Sequence, residues 1–80
     1  MATLTPAGLR VECRHILIGN ELNAIELHAA SWLALDDIAA REGISVDALV
    51  RTVRTREPRM ALPTALELFC IRYWRERLDE

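Results

Sequence analysis

Cysteine and histidine side chains are the residues of this chain best suited to metal binding or nucleophilic chemistry. Cys13 and His15 alternate along one predicted strand, and His28 lies on the strand that we expect to pair with it. A zinc site needs four ligands, usually with a CxxC or HxxxH spacing, and the chain has neither spacing. No third group is available to orient a Cys-His pair as a nucleophile and base. We therefore expect no metal, no cofactor and no catalytic residue, and we assign these side chains structural roles.

Charged residues are unevenly distributed, although the net charge of the chain is only −2. Residues 48–59 contain four arginines against one glutamate, a net +3, whereas the preceding 27 residues have a net −5. Adjacent acids such as Asp36 and Asp37 point about 100° apart on a helix, so they suit a solvated face better than a shared site. Arg51 and Arg54 share a helical face, and that face could contact phosphates or simply lie in solvent.

Alternating apolar residues predict two β-strands near the start of the chain. They cover residues 9–18 and 22–28, with a Gly-Asn turn between them. A two-residue loop would put Glu12 and Arg14 on the core face, so we expect a three-residue loop that includes Glu21. The expected core face consists of Leu9, Val11, Cys13, His15, Leu17, Ile25 and Leu27. The expected opposite face consists of Ile16, Ile18, Leu22 and Ala24, with Arg14 beside Glu26.

Three helices are predicted from apolar residues at helical spacing and from their capping residues. The first covers residues 31–42 and ends at Gly43. Ser45 caps the second helix, which Pro58 stops. The third helix starts near Pro63 and extends almost to the C-terminus.

This element order, two strands and then three helices, predicts the α+β class. We expect one domain over residues 9–80, preceded by a flexible tail at residues 1–8. A chain of 80 residues buries only about 60% of its unfolded surface, so we expect a second copy to complete the core. No apolar run approaches the ~18 residues of a membrane span, and no signal peptide is recognisable. With only two cysteines and no disulfide framework, we expect a cytoplasmic protein.

In the middle of the chain a short strand, NAIELH, leads into a helix, SWLALDDIAAREG, and GISVDALV begins a second helix. This order of motifs resembles the ribbon-helix-helix fold of the Arc and MetJ repressors. The pattern is closer still to a bacterial subgroup with an added C-terminal helix of the form A-L-x-x-F-x-x-R-Y. The match covers roughly residues 22–75. Its positions are Trp32, Leu35, Ile38-Ala39-Ala40, Glu42-Gly43, Ser45, Ala48-Leu49-Val50, Ala65-Leu66, Phe69 and Arg72-Tyr73.

The resemblance implies a homodimer, with a tetramer of two dimers as the alternative, in which one strand of each copy pairs antiparallel. It also implies that this ribbon enters the DNA major groove while the N-terminus of the second helix holds a phosphate. The implied base-facing residues are Leu22, Ala24 and Glu26. The phosphate contacts are Ile44, Ser45 and Val46 by resemblance, together with Arg14, Arg51 and Arg54 by their charge. The implied dimer core consists of Ile25, Leu27, Trp32, Leu35, Ile38, Leu49, Val53, Phe69 and Tyr73.

Two functions are consistent with these features. The first is a small dimeric DNA-binding transcriptional regulator, which would recognise a palindromic operator and repress by occlusion. The alternative is a protein-interaction module, antitoxin-like or an adaptor, that binds a partner protein through the apolar ribbon face of Ile16, Ile18, Leu22 and Ala24 or through the C-terminal helix. Leu22, Ala24 and Glu26 favour this alternative, because DNA-reading ribbons usually carry polar or basic residues. We do not expect an enzyme, since no nucleophile, base and orienting group can be assembled.

Overall fold

The computed structural model describes residues 9–78, and the predicted tail at residues 1–8 lies outside the described residues. Two antiparallel strands, β1 (Val11–Ile18) and β2 (Glu21–His28), form a hairpin. Three helices follow: α1 (Ala29–Glu42), α2 (Val46–Arg56) and α3 (Leu62–Leu78). The predicted α+β class and element order are confirmed. None of the helices in the described part of the chain is both long and apolar enough to span a membrane.

The turn of the hairpin has two residues and not the three that we expected. Arg14 therefore lies opposite Ile25, and the expected pairing of Arg14 with Glu26 is wrong. Of the two turn residues only Gly19 has a positive φ, 63°, which is the pattern of a type II′ turn with glycine at its first central position. This turn matches the right-handed twist of the strands, so turn geometry sets the register here.

The shorter turn reverses both faces of β1 relative to our expectation, whereas β2 faces as expected. Ile16 is only 3% exposed and Ile18 is half-buried, so both lie on the core side. Ile25 and Leu27 of β2 are buried beside them, at 3% and 2% exposed. The exposed surface of the hairpin is called the hairpin face below. It consists of Val11, Cys13, His15, Leu17, Leu22, Ala24, Glu26 and His28.

Glu12 and Arg14 of β1 lie on the core side of the hairpin, where each makes a specific contact. Arg14 donates hydrogen bonds of 2.7 and 2.9 Å to the carboxylate of Asp36, and its guanidinium lies 4.7 Å from the centre of the Trp32 ring. The hydrogen bonds to Asp36 raise the pKa of Arg14. The indole N–H of Trp32 donates to the carbonyl oxygen of Glu12 at 2.8 Å. The ion pair and cation–π contact thus compensate for partial burial of the charge.

Capping residues divide the helices largely as predicted. Gly43 adopts the left-handed conformation, with φ of 69°, and ends α1. The hydroxyl of Ser45 accepts a hydrogen bond from the N–H of Ala48 and begins α2. The first helix starts at Ala29, two residues earlier than expected, without a side-chain cap.

The core lies between the inner side of the hairpin and all three helices. Trp32, Leu35 and Ile38 are completely buried at its centre. Most of the residues that we assigned to a dimer core are already buried inside the single chain, whereas Phe69 and Tyr73 remain half-buried. Those already buried are Ile25, Leu27, Trp32, Leu35, Ile38, Leu49 and Val53. Their burial therefore needs no second copy.

Candidate nucleic-acid interface

The hairpin face and the N-terminal half of α2 lie next to each other. The backbone N–H of Leu17 donates to the carboxylate of Asp47 at 3.2 Å, and Arg51 donates to the carbonyl oxygen of Leu17 at 3.4 Å. Leu17 is the cross-strand neighbour of Leu22. The structure therefore brings one predicted base-facing residue close to the helix that carries the predicted phosphate contacts.

All three predicted base-facing residues are exposed on the hairpin face. The side chain of Leu22 is 69% exposed, and Ala24 and Glu26 are exposed beside it. The reversal of β1 adds a second row of residues to this surface, including His15 and Cys13. Our sequence reasoning missed this row, although the Gly-Asn dipeptide is itself a signal for a two-residue turn. No residue of the hairpin face is a lysine or an arginine.

The predicted phosphate contacts at the start of α2 differ in whether their N–H and hydroxyl groups are already hydrogen-bonded within the chain. The N–H of Ile44 donates to the carbonyl oxygen of Ala39 at 3.0 Å, as in a Schellman motif, so it is already used within the chain. The hydroxyl of Ser45 is used in capping. The N–H groups of Val46 and Asp47, in the first turn of α2, have no acceptor within residues 9–78. An anion could therefore bind to these two donors, although the Asp47 carboxylate would oppose it.

The three arginines that we predicted to contact phosphate have different environments. Arg14 is held by Asp36, and its side chain is 34% exposed. Arg51 lies beside the tip of the hairpin through its contact with Leu17. Arg54 is exposed and makes no hydrogen bond or ion pair with any residue in the described range 9–78. Arg51 and Arg54 are therefore the two cations of this set that lie on α2, and Arg51 is the one in contact with the hairpin.

Comparison with known proteins assigns this arrangement to a family. A family model described as a ribbon-helix-helix domain matches residues 11–74, which is most of the chain. The chain belongs to the ribbon-helix-helix domain family. A similar solved structure is that of an uncharacterized protein from Bordetella pertussis Tohama I, with a TM-score of 0.78 and 23% sequence identity. The match covers 91% of this chain and 62% of that one, and it shows a shared fold. No curated protein matches the chain.

The chain forms the hairpin that we predicted, in which β1 and β2 of the same chain pair with each other. The pairing of one strand from each copy, which the resemblance implies, stays a prediction. The hairpin thus provides a two-stranded antiparallel ribbon within one molecule. Its outward residues on both strands belong to the candidate interface.

Other chemistry has little support among residues 9–78. No group of three or more His, Cys, Asp or Glu side chains in this range could hold a metal ion. Asp36 is paired with Arg14, and Asp37 lies 3.6 Å from Arg41, so both acids take part in ion pairs on α1. Burial, with a smaller contribution from a neighbouring glutamate, raises the pKa of the Cys70 thiol to about 11. A thiol with a raised pKa is a poor nucleophile at neutral pH.

Proposed function

We propose that this ribbon-helix-helix protein is a DNA-binding transcriptional regulator that acts as a dimer. The observation that carries the proposal is the contact of the hairpin with α2, where Asp47 and Arg51 both bond to the backbone of Leu17. A hairpin of two strands fits the width of the major groove, and the flanking cations and helix N-terminus suit the adjacent phosphates.

In this proposal the two structural parts have different roles. The exposed side chains of Leu22 and Ala24 contact thymine methyl groups, and Glu26 accepts a hydrogen bond from cytosine. Arg51, Arg54 and the free N–H groups at the start of α2 contact phosphates and thereby set the orientation. Two copies related by a two-fold axis would select a palindromic site, and occupancy of that site would block transcription.

The test is fluorescence anisotropy of a labelled duplex, taken from the DNA upstream of the gene, against a scrambled duplex over a range of salt concentrations. Selective binding that weakens linearly with the logarithm of salt concentration supports the proposal, and the slope measures the number of phosphate contacts. Equal binding to both duplexes contradicts a regulator that reads sequence. Absence of binding at low salt contradicts DNA binding altogether.

A matched pair of charge reversals locates the phosphate contacts. Arg54→Glu reverses an exposed charge on α2, one helical turn after Arg51, and Arg59→Glu makes the same change in the exposed loop after α2. We expect Arg54→Glu to weaken DNA binding about tenfold more than Arg59→Glu, since two charge units change next to a phosphate. Equal losses would mean that only the net charge matters and would contradict a specific role for α2.

A second candidate function, binding of a partner protein, is favoured by the apolar character of the hairpin face. Val11, Leu17 and Leu22 are 55%, 44% and 69% exposed on it, and exposed apolar patches commonly mark protein contacts. Here Leu22→Asp should abolish binding of a purified partner, whereas Leu33→Asp on α1 should not. Leu33 is a fair control because its side chain is 66% exposed. Arg54→Glu, in contrast, should affect DNA binding and leave such a protein contact nearly unchanged.

A further inference from the structure

An apolar cleft, called the α2–α3 cleft below, lies between the second and third helices. Its volume is about 550 Å³. Buried side chains such as Leu49, Val53 and Ala65 line it, together with the half-buried rings of Phe69 and Tyr73. Small-molecule sites in proteins are mostly apolar and typically have volumes of about 300–1,000 Å³. The cleft therefore has the size and the lining of a site for a small apolar ligand.

The two ends of α2 mark the two ends of this cleft. Glu42 lies shortly before α2 and Glu57 directly after it, and both residues line the cleft. The helix between them has 11 residues, so it is about 16 Å long. No residue of either strand lines the cleft, so the hairpin face stays free for its own ligand. The cleft can thus hold an extended molecule, such as an alkyl chain, parallel to α2.

The rim of the cleft is basic at the end near Glu57. The charged residues of the whole rim are Arg56, Arg72, Arg77, Glu42, Glu57 and Glu76. Arg72 lies 3.8 Å from Glu57, and Arg56 is exposed and makes no hydrogen bond or ion pair with any residue in the range 9–78. Two arginines against one glutamate give this end a net charge of +1. It therefore has one positive charge available for a ligand.

The opposite end of the rim, near Glu42, is acidic and largely bonded within the chain. The hydroxyl of Tyr73 donates to the carboxylate of Glu42 at 3.1 Å, and Arg77 donates to the Tyr73 hydroxyl at 3.2 Å. Glu76, which precedes Arg77 in the sequence, adds a second acid to this rim. An anionic group is repelled at this end and attracted at the other, so the charges give the cleft a direction.

We propose that the α2–α3 cleft binds a small amphipathic carboxylate, a monocarboxylic acid with an alkyl chain of medium length. The carboxylate accepts hydrogen bonds from Arg56 and Arg72, and the alkyl chain packs on the apolar floor towards Glu42. A planar guanidinium is complementary to a carboxylate, and the charge of +1 matches a singly charged head group. This site is separate from the DNA interface of the proposed function.

The experiment is a titration of the ¹⁵N-labelled full chain with octanoate, followed by the amide chemical shifts without DNA. We expect saturable shifts at cleft residues such as Thr52 and Arg56, with a dissociation constant below about 1 mM. Hexanoate, which lacks two methylene groups, should bind about tenfold more weakly, because each buried methylene contributes to affinity. Octanol lacks the negative charge and should bind at least about fivefold more weakly than octanoate.

Two arginines in the last turn of α2 provide a matched pair of variants. Arg54 and Arg56 are both exposed and have no ion pair within residues 9–78, but only Arg56 lines the cleft. We expect Arg56→Glu to raise the dissociation constant of octanoate about tenfold and Arg54→Glu to change it less than about twofold. In the proposed function Arg54→Glu weakens DNA binding, so failure of one proposal is distinguishable from failure of the other.

Two threonines test the apolar part of the site in the same way. Thr52 lines the cleft and Thr55 does not, while both are exposed and both donate a 3.0 Å hydrogen bond to a backbone carbonyl four residues earlier. Thr52→Trp places a large side chain at the cleft and should weaken octanoate binding at least about fivefold, whereas Thr55→Trp should not. Circular dichroism melting confirms that each variant is folded.

Several outcomes overturn the proposal. A dissociation constant above about 1 mM, or shifts confined to the hairpin face, excludes the cleft as the site. Equal affinities for octanoate and octanol exclude recognition of the carboxylate, and equal affinities for octanoate and acetate exclude recognition of the alkyl chain. Equal effects of Arg56→Glu and Arg54→Glu would mean that net charge alone attracts the ligand. If octanoate does not bind and Thr52→Trp changes the sedimentation of the chain, a protein occupies the cleft instead.

Discussion

The hairpin face and the α2–α3 cleft are both exposed and apolar, but their charges are arranged differently. The hairpin face has one acid, Glu26, and no arginine or lysine, and Arg51 of α2 bonds to its backbone at Leu17. The cleft has three arginines and three glutamates around its own rim. The two apolar surfaces therefore differ in the charges that a bound ligand would meet. An exposed apolar surface does not by itself identify the class of its partner. The charges around that surface have to be considered as well.

The largest effect that we predict comes from removing the residue that joins the hairpin to the core. Trp32 is completely buried and bonds to the carbonyl oxygen of Glu12, whereas Trp74 is only half-buried. Trp32→Ala should lower the free energy of unfolding by about 3–5 kcal/mol, close to the whole stability of a small domain. Urea unfolding followed by circular dichroism measures this loss.

Trp74→Ala is the matched control for that experiment. Trp74 stacks with Arg41, whose guanidinium lies 4.7 Å from the ring centre, and an exposed contact of this kind contributes about 0.5–1 kcal/mol. We therefore expect a clearly smaller loss for Trp74→Ala. Similar losses for the two variants would contradict the central place of Trp32 in the core.

The next effect distinguishes the exposed thiol of the hairpin face from the buried thiol of α3. Cys13 is exposed on the hairpin face, and Cys70 is buried in α3 with a pKa raised from 9.0 to about 11 by burial and by Glu67. At pH 8 such a shift lowers the thiolate fraction of Cys70 about 100-fold, and burial also shields the sulfur, so Cys70 should react with a disulfide reagent much more slowly than the exposed Cys13. Cys13→Ser and Cys70→Ser variants assign the two rates. Equal rates would contradict the burial of Cys70.

The same shift has a consequence for stability at alkaline pH. Because the folded pKa of Cys70 is raised, its stabilising contribution is complete below about pH 9 and is lost as the pH rises towards 11. Cys70→Ala should therefore flatten the dependence of stability on pH in this window. An unchanged dependence would indicate that another group causes the alkaline loss.

The sequence predicted those parts of the hairpin and helices that depend on local patterns. Ile25 and Leu27 face the core as their alternation predicts, and Gly43 and Ser45 separate the first two helices. The orientation of β1 was wrong because we treated Arg14 as a charge that must avoid the core. Its partner Asp36 lies 22 residues away, and no local pattern contains that contact.

The candidate interface was predictable in part for a related physical reason. The exposure of Leu22, Ala24 and Glu26 follows from the alternation of β2, but the adjacent row on β1 depends on the register of the turn. Helical periodicity likewise shows which side of a helix is apolar, without showing whether the same chain or a second copy covers it. For this reason our predicted dimer core combined residues buried within the chain with Phe69 and Tyr73, which line the cleft.

A smaller effect concerns the ion pair that joins β1 of the hairpin to α1. Arg14 and Asp36 are 34% and 40% exposed, so solvent weakens their interaction, and we expect a coupling free energy of about 1 kcal/mol. A double-mutant cycle with Arg14→Gln and Asp36→Asn, measured by urea unfolding, gives this value. The pair Arg41 and Asp37 on α1 is the control, with an expected coupling of about 0.3–0.5 kcal/mol. A coupling for Arg14 and Asp36 no larger than the control would contradict their role in positioning β1.

The smallest effect tests whether Asp47 limits DNA binding at the junction of the two structural parts. Asp47→Asn removes a negative charge from the first turn of α2 and retains an amide oxygen that can accept the N–H of Leu17. If a phosphate binds to the free N–H groups there, its affinity should rise about two- to fivefold, as measured by anisotropy at constant salt. Asp37→Asn removes the same charge from an exposed position on α1, where Asp37 pairs with Arg41, and should have less effect. Equal gains would show that net charge alone governs binding. A gain confined to Asp47→Asn would mean that a phosphate binds at the N-terminus of α2, beside the hairpin face and not in the cleft.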